Sequence, residues 1–189
     1  NYDEAKVPAY TLPDPLNSLA GKKISNKKEW EKTRKPEILR LFEDNIYGQL
    51  PKDYDKITFT TIHEDFNSMN GKAHLKEVLI EVFRINKSIQ INLVVFIPKN
   101  APKPVPAFLL INNRPKENTD PSRKQKSEFW PAEEVINSGY AIAAIQVTDL
   151  APDDPKLFMN GVLQLYPEQL AADNGMRAIG SWAWGASRV

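Results

Sequence analysis

The stretch AFLLIN at Ala107–Asn112 holds five consecutive apolar residues before its closing asparagine. A continuous apolar run of this length predicts a strand buried on both faces, because a strand with one wet face alternates apolar and polar residues. The run YAIAAIQV at Tyr140–Val147 has the same character. Between them, WPAEEVINSG at 130–139 predicts a helix, with Pro131 near its first turn and Gly139 just past its end. Strand, loop, helix and strand form a βαβ unit, which predicts a parallel pair within an α/β domain.

Upstream, three segments read as strands: Lys56–His63, His74–Phe83 and Ser88–Ile97. The third alternates most cleanly, with Ile89, Ile91, Leu93 and Val95 on one face and Ser88, Gln90 and Asn92 on the other. The short connection Arg84–Lys87 predicts a hairpin, so antiparallel strands lead into the parallel pair through the proline-rich PKNAPKPVP. Further back, Ser25 or Asn26 caps a short helix containing Trp30. Pro36 then starts a second helix whose apolar stripe is Ile38, Leu41, Phe42 and Ile46, with Gly48 as its stop. Residues 1–24 carry Pro8, Pro13 and Pro15 without any period and read as an extended arm, leaving 25–189 as the domain proper. Downstream, 148–175 reads as irregular. A last helix over Met176–Val189 places Ile179, Trp182, Ala183, Ala186 and Val189 on one apolar face.

The totals narrow the function. Lys+Arg 25 against Asp+Glu 24 leaves a formal net charge of +1, so nothing favours a nucleic-acid partner. No apolar run approaches the ~20 residues of a membrane-spanning helix, and none is expected. The chain has no cysteine, which excludes disulfides, thiolate metal sites and a cysteine nucleophile. It starts at Asn1 without methionine, which fits removal of an upstream signal peptide or an artificial boundary.

Candidate chemistry is sparse. Gly185-Ala-Ser187-Arg-Val189 matches the start of the G-x-S-x-G nucleophile elbow but ends in valine. Ser187 also sits in a helical pattern, where no buried strand feeds it as an elbow requires. The two histidines, His63 and His74, fall at strand ends of the antiparallel part, and no carboxylate cluster accompanies them as a metal site would need. Asp149, Asp153 and Asp154 in TDLAPDDP are oxygen-rich, but Pro152 and Pro155 interrupt them and no cation-loop spacing is met. The informative segment is Asn112-Asn113-Arg114, at the carboxyl end of a parallel strand, where open α/β sheets bind ligands. Its side chains and a backbone N–H can supply donors to a substrate oxyanion. Equally, the asparagines can end the strand while Arg114 pairs with an acid.

Three segments together resemble a known family. PEILRLFEDNIYGQLP (36–51), NNRPKENTDPSRKQKSEFWPAEEVINSGYAIAA (112–144) and SWAWGASRV (181–189) are similar to the N-terminal half of α/β-hydrolase-fold carbohydrate esterases. Within that group the likeness is to the glucuronoyl esterases and their acetylxylan-esterase-like relatives. It covers most of the chain from about Trp30, and FWPAEEVINSGYA and SWAWGASR carry most of it. The resemblance implies a secreted or periplasmic serine esterase acting on plant cell-wall polysaccharide through glucuronoyl or acetyl esters, with no metal or organic cofactor. In the family, SWAWGASR belongs to the helix before the elbow strand, so Ser187 is not the nucleophile and no catalytic triad residue falls within this chain. Asn112, Asn113 and Arg114 remain as substrate-binding candidates. In that fold the AFLLIN strand pairs with the strand that carries the nucleophile. The chain is therefore expected to expose an apolar strand edge, open to a C-terminal half or to another copy. A second reading is a degenerate esterase domain that binds carbohydrate or scaffolds, with Trp130, Tyr140 and Trp184 stacking on sugars or simply packing a core. A third is a complete small α/β domain with a function of its own.

Overall fold

A computed structural model describes residues 2–189; Asn1, within the predicted arm, lies outside the described residues. The chain divides into two compact units, with the break between Ile46 and Tyr47. The first unit carries little regular structure before α1 (Lys27–Glu29), where the Asn26 side chain accepts from the Glu29 N–H at 3.0 Å. The Glu29 carboxylate accepts in return from the Ser25 N–H and from Lys22, and these bonds hold its pKa down to about 2. A π-helical turn over Trp30–Arg34 leads without a break into α2 (Lys35–Phe42), so the two expected helices run as one and Pro36 falls inside it, where it has no N–H to give the ladder. The stripe expected to be buried on this helix is largely exposed: Leu41, Phe42 and Ile46 all face solvent.

The second unit is built on one five-stranded sheet of order β1-β2-β3-β5-β4. β1 (Lys56–Asn67), β2 (Ala73–Arg84) and β3 (Lys87–Pro98) are antiparallel neighbours. They match the three predicted strands, with β1 running four residues beyond His63. A single turn, α3 (Ser68–Gly71), joins β1 to β2, with Met69 and Asn70 both in left-handed conformation. The β2–β3 hairpin turns at Ile85 and Asn86, both at positive φ, as a two-residue turn between twisted strands requires. β4 (Ala107–Asn112) crosses through α4 (Ala132–Asn137) to β5 (Ala141–Gln146), which lies parallel to it and antiparallel to β3. The βαβ unit read from the sequence is therefore present, and the sheet is mixed.

Alternation along the strands sends side chains to two cores. Ile80 and Val82 of β2, Ile89 and Ile91 of β3 and Ile145 of β5 join one cluster; Leu75, Phe96, Ile142 and Ala144 join the other. The second core is closed by Trp130, Ala132 and Ile136 of the β4–β5 crossover. The first is closed by residues 147–186, which run through α5 (Val147–Leu150), α6 (Glu168–Ala171) and α7 (Ala178–Ala186). This stretch is largely irregular, as expected, yet it supplies Leu150, Val162, Leu163, Leu165 and Tyr166 to the core.

Two expectations are corrected. The AFLLIN strand is not buried on both faces: β4 lies at the sheet edge, paired only with β5 among the described residues, and Phe108 is 59% exposed. The face of α7 is also shifted. Trp182 and Ala186 of the expected face do pack partly buried against the core, but Gly180, Ser181, Trp184 and Gly185 are the buried residues, Ile179, Ala183 and Val189 are exposed, and the helix stops at Ala186. The small residues decide this orientation, because a Cβ on Gly180 would stand 2.8 Å from the Tyr47 carbonyl oxygen. Trp184 fills the space beside them. It meets Tyr166 edge-on at 5.7 Å and donates from Nε1 to the Pro51 carbonyl at 3.1 Å.

Candidate functional site at the carboxyl ends of the parallel strands

The last rung of the parallel pair sets Asn112 beside Gln146. Asn112 is fully buried, and all of its polar capacity is spent locally. Its Nδ2 donates to Gln146 Oε1 at 2.7 Å and to the Arg114 carbonyl at 3.1 Å, while its Oδ1 accepts from the Arg114 N–H at 3.1 Å and from Asn118 Nδ2 at 3.0 Å. Gln146 Nε2 adds a second donor to the Arg114 carbonyl at 2.7 Å. The loop that leaves β4 is thereby stapled to the ends of both parallel strands. The Arg114 N–H, a candidate oxyanion donor from the sequence, is already committed to Asn112.

Beside this staple lies a pocket of about 540 Å³. Glu77 of β2 and Asn92 and Val94 of β3 form one side, Gln146 to Asp149 another, and Asn113, Arg114, Lys116 and Thr119 the loop side. The three predicted site residues therefore separate: Asn113 and Arg114 line the pocket, and Asn112 stands behind them as the support. Arg114 makes no ion pair among the described residues; its guanidinium is exposed and stands 5.1 Å over the Phe129 ring. A cation held against an aromatic face at a pocket mouth keeps its hydrogen-bonding fork available.

The aspartates do not converge. Asp149 Oδ2 accepts from the N–H and Nδ2 of Asn92 at 2.9 and 3.0 Å, continuing the β3 edge where β5 has ended. Asp154 forms a turn, accepting from the Lys156 N–H at 2.7 Å. Each histidine pairs across strands, His63 with Glu77 at 2.8 Å and His74 with Glu64 at 2.7 Å, and His74 stacks on Phe66. No group of three or more His, Asp or Glu side chains able to hold a metal occurs among the described residues. Ser187 lies just past α7, its hydroxyl donating to the Trp184 carbonyl at 2.6 Å, as a helix-terminal serine does. Of the candidate sugar-stacking aromatics, Trp130 and Trp184 are core, and only Tyr140 is exposed, against Phe108. Glu77, Gln146 and Thr119 were not singled out from sequence. Gln146 alone carried a signal there, as the polar residue that ends an apolar run.

A mixed, two-sided sheet with a pocket at the carboxyl ends of its parallel strands defines an α/β protein, and that pocket stands where the class binds its ligands. No family model matches the sequence. The chain is 30% identical, over 217 aligned positions, to carbohydrate esterase MZ0003 from an unknown prokaryotic organism, across 99% of this chain and 50% of that protein. Its structure superposes on a glucuronoyl esterase from Solibacter usitatus with a TM-score of 0.81 and 28% identity, covering 98% of this chain and 54% of the other. A promiscuous CE15 esterase from a marine bacterial metagenome superposes with a TM-score of 0.79 and 27% identity, over 99% and 54% of the two chains. The chain thus spans about half the length of the relatives it matches. It is similar in sequence to about half of a carbohydrate esterase and in fold to about half of a glucuronoyl esterase.

Proposed function

We propose that residues 25–189, with 1–24 as an arm, are the N-terminal half of an α/β-hydrolase domain. That domain would belong to a secreted or periplasmic serine esterase cleaving glucuronoyl or acetyl esters of plant cell-wall polysaccharide. The observation that carries this reading is the pocket of about 540 Å³ at the ends of β4 and β5, with the unpaired Arg114 at its mouth. In acyl transfer the carbonyl oxygen gains negative charge, and a cation fixed nearby stabilises it in a low-dielectric site. In this proposal the chain contributes binding and charge, and the serine, histidine and acid come from the half that pairs along β4. Asn112 and Gln146 hold the loop by its Arg114 carbonyl, so Asn113 and the Arg114 side chain face substrate from a fixed backbone. The test is steady-state hydrolysis of a benzyl ester of glucuronate and of acetylated xylan by the full-length protein. Turnover of either is expected, with Arg114→Ala lowering kcat/KM by roughly tenfold to a hundredfold. Retention of xylan without hydrolysis of either ester would overturn the proposal and establish a binding module instead.

A further inference from the structure

A second cleft, of about 310 Å³, lies between the β1–β2 turn and α4 and shares no lining residue with the pocket at the strand ends. Its central group is Arg123, whose side chain is only 6% exposed. Asp120 shapes the loop that delivers it, accepting from the N–H groups of Ser122 and Gln125 at 2.9 Å each, and Arg123 itself adopts a positive φ of 57°. Two of the three guanidinium nitrogens grip Glu133: Nε donates to Oε1 at 3.2 Å and Nη2 to Oε2 at 2.7 Å. The third, Nη1, is buried without an acceptor among the described residues. The guanidinium stands 5.1 Å over the Trp130 ring, and Trp130 Nε1 is likewise buried without an acceptor.

A structural clamp accounts for Nε and Nη2 and leaves Nη1 unexplained. A buried donor on a charged group without an acceptor is costly, and native interiors rarely tolerate one. Arg123 lines the cleft and its Nη1 calls for an oxygen acceptor there, whereas Trp130 lies in the core beside the guanidinium and does not line the cleft. The cleft's charge agrees: Lys72, Arg123 and Lys126 line it against the single carboxylate of Glu133. Both Glu133 oxygens are already engaged by Arg123, and Lys126 Nζ lies 3.2 Å from one of them. We propose that this cleft is an oxyanion site, taking a carboxylate or phosphate group against Arg123 with Lys72 and Lys126 as flanking cations.

Inorganic phosphate and acetate are the probes, titrated into the full-length protein at ionic strength matched with chloride. The readout is the indole N–H resonance of Trp130, assigned by its loss in Trp130→Phe. Saturable displacement by either anion, with a Kd on the order of 1 mM or tighter, is the expected result, and which anion saturates identifies the preferred group. The double variant Lys72→Gln/Lys126→Gln removes two exposed charges and leaves the Arg123–Glu133 pair intact. It should keep the melting temperature and weaken binding by about tenfold. No saturable displacement by either anion, or equal affinity in the double variant, would sink the proposal.

Discussion

β4 and β5 are written in nearly the same alphabet, AFLLIN and AIAAIQ, and lie side by side in one parallel register. Their environments differ sharply. β5 sits between β3 and β4 with its first five residues buried, whereas β4 forms the edge, with Ala107 and Phe108 exposed and Leu109 to Ile111 half-buried. Burial of an apolar strand is therefore a property of its place in the sheet, and composition shows only what the strand can tolerate. Apolar edges are normally blunted by charge, proline or bulges, and β4 carries none of these between Ala107 and Ile111. That contrast fits the proposal that a further strand pairs along β4.

The sharpest way to break the comparison is to truncate one residue on each strand. Ile145 is 1% exposed in the first core, and Ile145→Ala should cost about 3 kcal/mol through lost burial and an unfilled cavity. Phe108→Ala removes a larger side chain and should cost under about 1 kcal/mol, because most of that ring already meets water. Urea midpoints at unchanged m-value measure both, and equal losses would mean that β4 is covered in solution.

The strands also share one polar rung, Asn112 beside Gln146, and here the burden falls on β4. Asn112→Ala strips acceptors and donors from Arg114, Asn118 and Gln146 together, and about 2 kcal/mol of stability should go with them. Gln146→Ala leaves the Arg114 N–H and carbonyl still held by Asn112 and should cost about half as much. Thermal melts of the two variants check the order; the reverse order would place the staple on β5.

The crossover between the strands responds to acid. Arg123 draws the Glu133 carboxyl from its ordinary 4.5 down to about 2. A depressed folded-state pKa contributes stability that is full above the unfolded value and is lost as pH falls through the folded one. The loss should therefore run from about pH 4.5 down to about pH 2, amounting to roughly 1–2 kcal/mol after allowing for solvent around a partly exposed carboxylate. Glu133→Gln should flatten that segment of the stability–pH curve, and an unchanged slope there would count against the pairing.

How much of this was legible in the sequence depends on the kind of signal. Richness in β-branched and apolar residues located β1 and β2, period-two alternation located β3, and two apolar runs located β4 and β5, because all of these signals are local. The order of β4 and β5 in the sheet is not local, so the edge position of β4 came only from the family resemblance, and periodicity alone read that strand as buried on both faces. The α7 face was only partly legible for another reason: periodicity weighs apolar side chains, and the close approach here was made by Gly180, Ser181 and Gly185. Irregular chain from Leu150 to Tyr166 gave no period at all, yet its apolar residues pack the sheet. Asn112, Asn113 and Arg114 were found through the rule for strand ends, but the split between support and pocket wall needed the hydrogen bonds. Arg123 sat unnoticed within SRKQKSE, where nothing distinguishes a buried arginine from the exposed lysines around it.

The smallest stability effect tests the edge most directly. Phe108→Lys places a charge where a neighbouring strand would pack. Its cost to the fold should be only about 0.5 kcal/mol, since the ring is largely exposed and rests mainly against Tyr140. If β4 is a pairing edge, the same change should abolish concentration-dependent association of this 189-residue chain in light scattering, while Lys at an exposed position off the edge, such as Thr148→Lys, should not. Hydrogen exchange supplies the second arm: β4 amides in the isolated chain should exchange faster than those of β5, whose neighbours on both sides are in place. Equal protection on the two strands, with association untouched by Phe108→Lys, would show that the edge is already satisfied and would remove the strand-pairing argument.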